Sequence, residues 1–163
     1  MTRHGWTLAG IGAAFVLAGA TWAWAQSPAQ MVDQRQEIMK ALFPQYYRDI
    51  AAVVRGQSTD LANVATKASA ASAELKKSAT LFPAGTGRDA VPKSRAKPEI
   101  WTQRAEFEAA LTQLIAATDA VGEAAKSNNL DGVKAGWLKV AEACGGCHGG
   151  PPKSGGKFRF EEQ

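Results

Sequence analysis

Four stretches of this chain place apolar side chains at steps of three and four, and none alternates them with polar residues over a strand's length. That spacing predicts helices and no sheet. In the first stretch, Ala29 to Arg55, the apolar positions are Val32, Met39, Leu42, Phe43, Tyr46, Ile50, Val53 and Val54. Pro44 removes a backbone donor and crowds the preceding turn, so a kink or short break is expected near Phe43. Gly56 ends this helix. Asp60 is the expected N-cap of the second, whose face runs Leu61, Val64, Ala65, Ala68, Ala71, Ser72, Leu75 and Ala79. Pro83 stops it after Leu81-Phe82. Residues 83–97, rich in Gly, Pro, Lys and Arg, form the longest connection. A third helix is expected to open at Pro98 and Glu99, which suit a first turn and its positive dipole end. Ile100, Trp101, Phe107, Leu111, Leu114, Ile115, Thr118 and Val121 line it, and Asn128-Asn129 breaks it. The fourth runs from Leu130 through Val133, Trp137, Val140 and Ala141. From Gly149 onward a Gly/Pro-rich basic loop is expected.

Four helices with mostly short links predict an all-α fold, an antiparallel four-helix bundle. Ala supplies much of the 45% hydrophobic content. Small side chains let helices approach closely but bury little area each.

Residues 1–25 change the reading of location. Arg3 and His4 precede an apolar run from Leu8 to Ala20, and Ala23-Trp24-Ala25 puts small residues where a cleavage site needs them. A signal peptide cleaved after Ala25 is expected, leaving one domain over residues 26–163 and an address in the periplasm. The competing reading is an uncleaved anchor, since Thr7 to Ala25 is nearly long enough to span. No second run of that length follows, so no stable membrane insertion is expected after cleavage. The net charge of +4 comes without a dense basic stripe or interleaved basic and aromatic run, which argues against nucleic acid.

The chemistry lies at the end of the fourth helix, in Cys144-Gly145-Gly146-Cys147-His148. C-x-x-C-H is the attachment pattern of c-type haem. Residues three apart share a helix face, so both thiols reach one porphyrin edge and His148 becomes an axial ligand of the iron. Structural zinc normally needs four ligands, and only these three Cys and His remain after cleavage. A redox dithiol wants a βαβ setting. A disulfide here would close a tiny loop and stabilise little. One covalent haem c is therefore expected. For the sixth ligand the mature chain offers no other His; Met39 is the thioether candidate, with core filler as its competing role.

Over the mature length the chain resembles the class II c-type cytochromes, the cytochrome c′ and cytochrome c-556 family. The resemblance rests on the C-terminal haem motif, Arg35-Gln36 with Met39-Lys40, Phe82-Pro83-Ala84-Gly85, and Ala96-Lys97-Pro98-Glu99-Ile100-Trp101 with Phe107 after it. It implies a bundle with haem near one end and the first helix over the haem's distal face. Five-coordinate members carry an apolar residue, often Leu, four after the Arg that matches Arg35; Met-ligated members carry Met. Met39 in that position implies the low-spin cytochrome c-556 subgroup, and Arg35 a haem-propionate partner. The family's aromatic-Arg pair usually follows the histidine closely. Here Phe158-Arg159 stands beyond Gly149 to Lys157, which implies a loop inserted beside His148.

The function expected from this reading is a periplasmic electron carrier with His148 and Met39 as axial ligands, meeting redox partners transiently, with a homodimer possible. The alternative is a five-coordinate protein that binds NO or CO. No enzyme is expected, because no mature distal histidine offers a general acid or base. Trp101, Trp137, Phe82 and Phe107 are read as core and haem-packing residues.

Overall fold

The first helix begins with a reciprocal cap. The Ser27 hydroxyl accepts from the Gln30 N–H, and the Gln30 side chain accepts from the Ser27 N–H, satisfying two donors that a helix start leaves open. In the computed structural model, which describes residues 26–149 and 155–161, helix α1 spans Pro28–Ala41. The expected signal segment lies outside the described residues. A π segment, Leu42–Tyr47, joins α1 to α2, Arg48–Val54. Then come α3, Leu61–Ala79; α4, Glu99–Thr102; α5, Arg104–Lys126; and α6, Leu130–His148.

Pro44 does not break the first helix. Proline lacks the N–H that the carbonyl of Lys40 would accept, and its ring crowds that carbonyl. The chain responds by widening one turn, so that the Arg48 N–H reaches back to the Phe43 carbonyl. The rod then continues as α2.

This rod packs with α3, α5 and α6 as an antiparallel four-helix bundle. Asp60 caps α3 through the Asn63 N–H at 2.9 Å, and Asn129 caps α6 through the Gly132 N–H at 2.8 Å. Asn128 takes a positive φ of 53° to turn the chain between α5 and α6. The main core joins Ile50, Val53, Val64, Ala68, Leu75, Val121, Val133 and Val140. Close approach comes from glycine where it is needed. A Cβ at Gly136 on α6 would lie 2.8 Å from Val121 Cγ2 on α5.

Three further expectations change. The third helix is not continuous from Pro98: Gln103 leaves helical geometry, separating α4 from α5. The jog lets Trp101 Nε1 donate to the carbonyls of Phe82 and Pro83, and Arg104 donate to that of Phe82. Ala141, expected inside, is exposed. The tail is not merely a loop. Arg159 forms an isolated antiparallel bridge with Ala96, fixed by Lys97 N–H to Phe158 O at 3.1 Å and Phe160 N–H to Arg95 O at 2.9 Å. Phe158 enters a second core with Ala96, Ile100 and Phe107. Among the described residues no helix is long and apolar enough to cross a membrane.

Candidate haem site

The last turns of α6 carry Cys144, Cys147 and His148 into one wall of a cavity of about 610 Å³. The rod supplies the wall formed by Arg35, Met39, Leu42, Phe43 and Tyr47. Helix α5 adds Phe107, Leu111 and Leu114. The connection before α4 and the tail close the rest with Phe82, Lys93, Arg95, Ala96, Phe158 and Arg159. The structure thus brings together the residues nominated to hold haem and iron: Cys144, Cys147, His148, Met39 and Arg35.

The electrostatics follow from burial. The Cys144 thiol is pushed up to about 11, first by burial and then by the neighbouring Cys147. Burial also raises Cys147. His148 is lowered by burial and then by the charge of Arg159. Desolvation disfavours the charged form in each case, so the imidazole is held neutral, the form that ligates metal.

The residues fit a haem. The cavity has the size of a small-cofactor site and mainly apolar side chains around it. Cys144 and Cys147 are free thiols, one helical turn apart on the same wall. Lys93, Arg95 and Arg159 supply cations among the lining residues, suited to the carboxylates of a porphyrin. A metal cage does not fit as well: among the described residues no three His, Cys, Asp or Glu side chains converge on one point.

Arg35 has a larger task than the sequence suggested. It is 4% exposed, which excludes a solvated helix charge. Nη1 donates to Leu81 O and Thr86 Oγ1, both at 3.0 Å; Nη2 donates to Thr86 O and Ser94 Oγ, both at 2.7 Å. The guanidinium stacks 4.5 Å from the Phe82 ring centroid. Burial lowers its pKa to about 10, so it stays charged at neutral pH. Four of its N–H groups pin the connection that forms one side of the cavity, which leaves Nε–H for any propionate contact.

Of the four aromatics read from sequence, Phe82 and Phe107 line the cavity and Trp101 and Trp137 do not. Trp137 instead packs edge-on to Tyr47, centroids 5.7 Å apart. The buried Thr86 and Ser94 went unnoticed in the sequence because their connection has no periodicity. Phe158-Arg159 does return to the His148 side of the cavity, and Phe158 meets Phe107 edge-on at 5.4 Å.

A family model described as Cytochrome C′ matches residues 30–150. The chain belongs to the cytochrome c′ family. Cytochrome c′ of Rubrivivax gelatinosus is 31% identical over 123 residues, 76% of this chain and 94% of the relative. That of Pararhodospirillum photometricum is 28% identical over 122 residues, 75% and 95% respectively. The crystal structure of the Rubrivivax cytochrome c′ superposes with a TM-score of 0.70 at 29% identity, covering 83% of this chain and 98% of that one. Cytochrome c prime from Alcaligenes xylosoxidans, solved as a nitric oxide complex of a variant, gives 0.71 at 22% identity, covering 84% and 99%. At that identity it speaks to the fold alone. Like the cytochrome c′ family as a whole, the chain carries covalently bound haem c. The narrower resemblance to the Met-ligated cytochrome c-556 subgroup is not supported: these relatives are cytochromes c′.

Proposed function

We propose that this chain binds a diatomic gas, nitric oxide or carbon monoxide, on the haem face opposite His148. The observation that carries the reading is the rod's side of the cavity. Met39, Leu42 and Phe43 line it, with no second histidine to hold a sixth position firmly. Bound haem supplies an iron that takes up a further ligand. Cys144 and Cys147 would hold the macrocycle as thioethers. His148, whose charged form burial disfavours, would offer its lone pair to the iron. Lys93, Arg95 and Arg159, cations of the lining, would supply positive charge for the propionates. The apolar stretch of Met39, Leu42 and Phe43 admits a neutral diatomic, which gives up little hydration there. The Alcaligenes cytochrome c prime, which shares this fold, has variants solved with NO and with CO bound. No step of this function is enzymatic.

One observation favours a second reading. Met39 lines the same cavity as His148; ligation of the iron by its sulfur would make the protein an electron carrier with transient redox partners. In both readings residues 1–25 direct export to the periplasm and are removed. The deciding test is titration of the ferrous holoprotein with CO, alongside its ferric absorption spectrum. Saturable CO uptake with a high-spin ferric spectrum is expected. A low-spin spectrum with the near-infrared sulfur-to-iron band, and no CO uptake, would establish the carrier instead. Met39→Leu is the control.

A further inference from the structure

We propose that Pro44, through the widened turn it imposes at Leu42–Tyr47, sets the aim of Met39 at the haem and thereby tunes the distal ligand. The inference rests on the reading above, in which Met39 faces the haem opposite His148.

The rod is held at two points, one on each side of Met39. One turn before it, Arg35 is buried and bonded to Leu81, Thr86 and Ser94. Beyond it, Tyr47 is 4% exposed. Its hydroxyl lies 2.9 Å from Thr118 Oγ1 on α5, and its ring packs on Trp137 of α6. Both clamps are specific in rotation: neither side chain could turn away without losing its partners. Met39, Leu42 and Phe43 lie between them, and all three line the cavity.

An α-helix advances about 100° per residue. The π turn takes in one extra residue, so it offsets the two clamps by about one such step relative to a regular helix. If the turn relaxed to α geometry, Arg35 and Tyr47 could keep their partners only if the residues between them twisted. Met39 would take part of that twist. Such insertions recur at functional sites in other helices. Pro44 itself is exposed and lies outside both hydrophobic clusters, so its effect travels through the backbone. It is a positioning residue, and it acts through Met39.

That makes a double-mutant cycle decisive. The holoprotein is prepared as wild type, Pro44→Ala, Met39→Leu and the double variant, with CO affinity of the ferrous form and the ferric spectrum as readouts. Pro44→Ala is expected to change CO affinity by about fivefold or more, the lower end of a real coupling between sites. In the Met39→Leu background the same substitution should change it less than about twofold. A crystal structure of Pro44→Ala should show the turn at Leu42–Tyr47 narrowed.

An equal shift in both backgrounds would overturn the proposal, because it would mean a general structural effect. So would no shift in either, or a widened turn that persists without Pro44. Should wild type take up no CO yet show the sulfur-to-iron band, the gas-binding reading fails alone; Pro44→Ala must then weaken or move that band. With neither CO uptake nor the band, Met39 does not address the haem and both readings fall.

Discussion

Where α2 turns into α3 and α5 into α6, Val53, Val64, Ala68, Val121, Ala125 and Val133 are each exposed by 2% or less. These are small aliphatic side chains, and helices meet there closely enough that Gly136 has no room for a methyl group. At the other end the packing residues are aromatic: Phe82, Phe107 and Phe158 meet edge to face around an open cavity. The polar groups differ as well. The cavity end buries the Arg35 cation with Thr86 and Ser94. The difference teaches a division of labour along one bundle. The closed end stores stability by tight aliphatic packing, and the open end leaves apolar surface that is complete only with haem in place.

The largest break in that comparison removes attachment. Cys144→Ala with Cys147→Ala should abolish covalent haem, read as complete extraction by acidified acetone. Hydrogen exchange should then speed up on α6 after Val140 and in residues 81–96. Protection around Val64 and Val121 should persist. Equal loss at both ends would show that the closed end does not stand by itself.

Core truncation separates the ends next. Ile50 is 1% exposed in the main core, so Ile50→Ala should cost about 2–5 kcal/mol. Leu111 borders the cavity. In haem-free protein Leu111→Ala should cost less than about half as much, since the lost methyls already face open space. Urea denaturation of both variants measures the contrast.

Arg35 tests the open end from its polar side. Arg35→Met takes the side-chain donor from Leu81 O and leaves Thr86 O with the Ser94 hydroxyl and Ser94 Oγ with the Ala96 N–H, and should cost about 3 kcal/mol. Arg35→Lys should recover only part, because one ammonium cannot span four acceptors held by a planar fork. Fast exchange confined to residues 86–94 is the expected signature.

The closed end was the more legible in sequence. Its helices follow a regular period, and Asp60 marks a start through ordinary capping chemistry. At the open end C-x-x-C-H and Met39 were readable as chemistry. Their surroundings were not. Arg35 bonds to residues 46 to 59 positions away, in a connection without repeat or period. Phe158 follows a Gly/Pro-rich stretch and returns through a single bridge. The break at Gln103 is tertiary in origin, since Trp101 and Arg104 answer to carbonyls near Phe82. Pro44 announced a disturbance, but local rules alone do not choose between a kink and a widened turn.

Tyr47, which joins the two regions, gives a pH test. Its pKa is raised to about 12, chiefly by burial, against the lowering effect of its bond to Thr118. The unfolded value is about 10, so the folded state holds the neutral phenol more strongly. The stability this contributes is full below pH 10 and is lost as pH rises toward 12. Over that window wild type should lose roughly 2 kcal/mol more than Tyr47→Phe. Urea titrations at several alkaline pH values give the difference; parallel curves would refute it.

The smallest and cleanest contrast uses two glycines of one helix. At Gly136 a Cβ would lie 2.8 Å from Val121 Cγ2 and 3.3 Å from the Val121 N. Valine is stiff at χ1 and Val121 is fully buried, so the clash is not relieved by a side chain swinging clear. Gly136→Ala should therefore cost about 1–2 kcal/mol in spite of alanine's better helix propensity. At Gly146, ten residues along α6, a Cβ would meet nothing within 4 Å. There the propensity gain stands alone, and Gly146→Ala should stabilise haem-free protein by up to about 1 kcal/mol. Gly146 is exposed and outside the cavity lining, so opposite signs from the same substitution in the same helix would isolate the cost of the close helix–helix contact at Gly136. A loss at both sites would mean that the cost at Gly136 does not come from the Val121 contact.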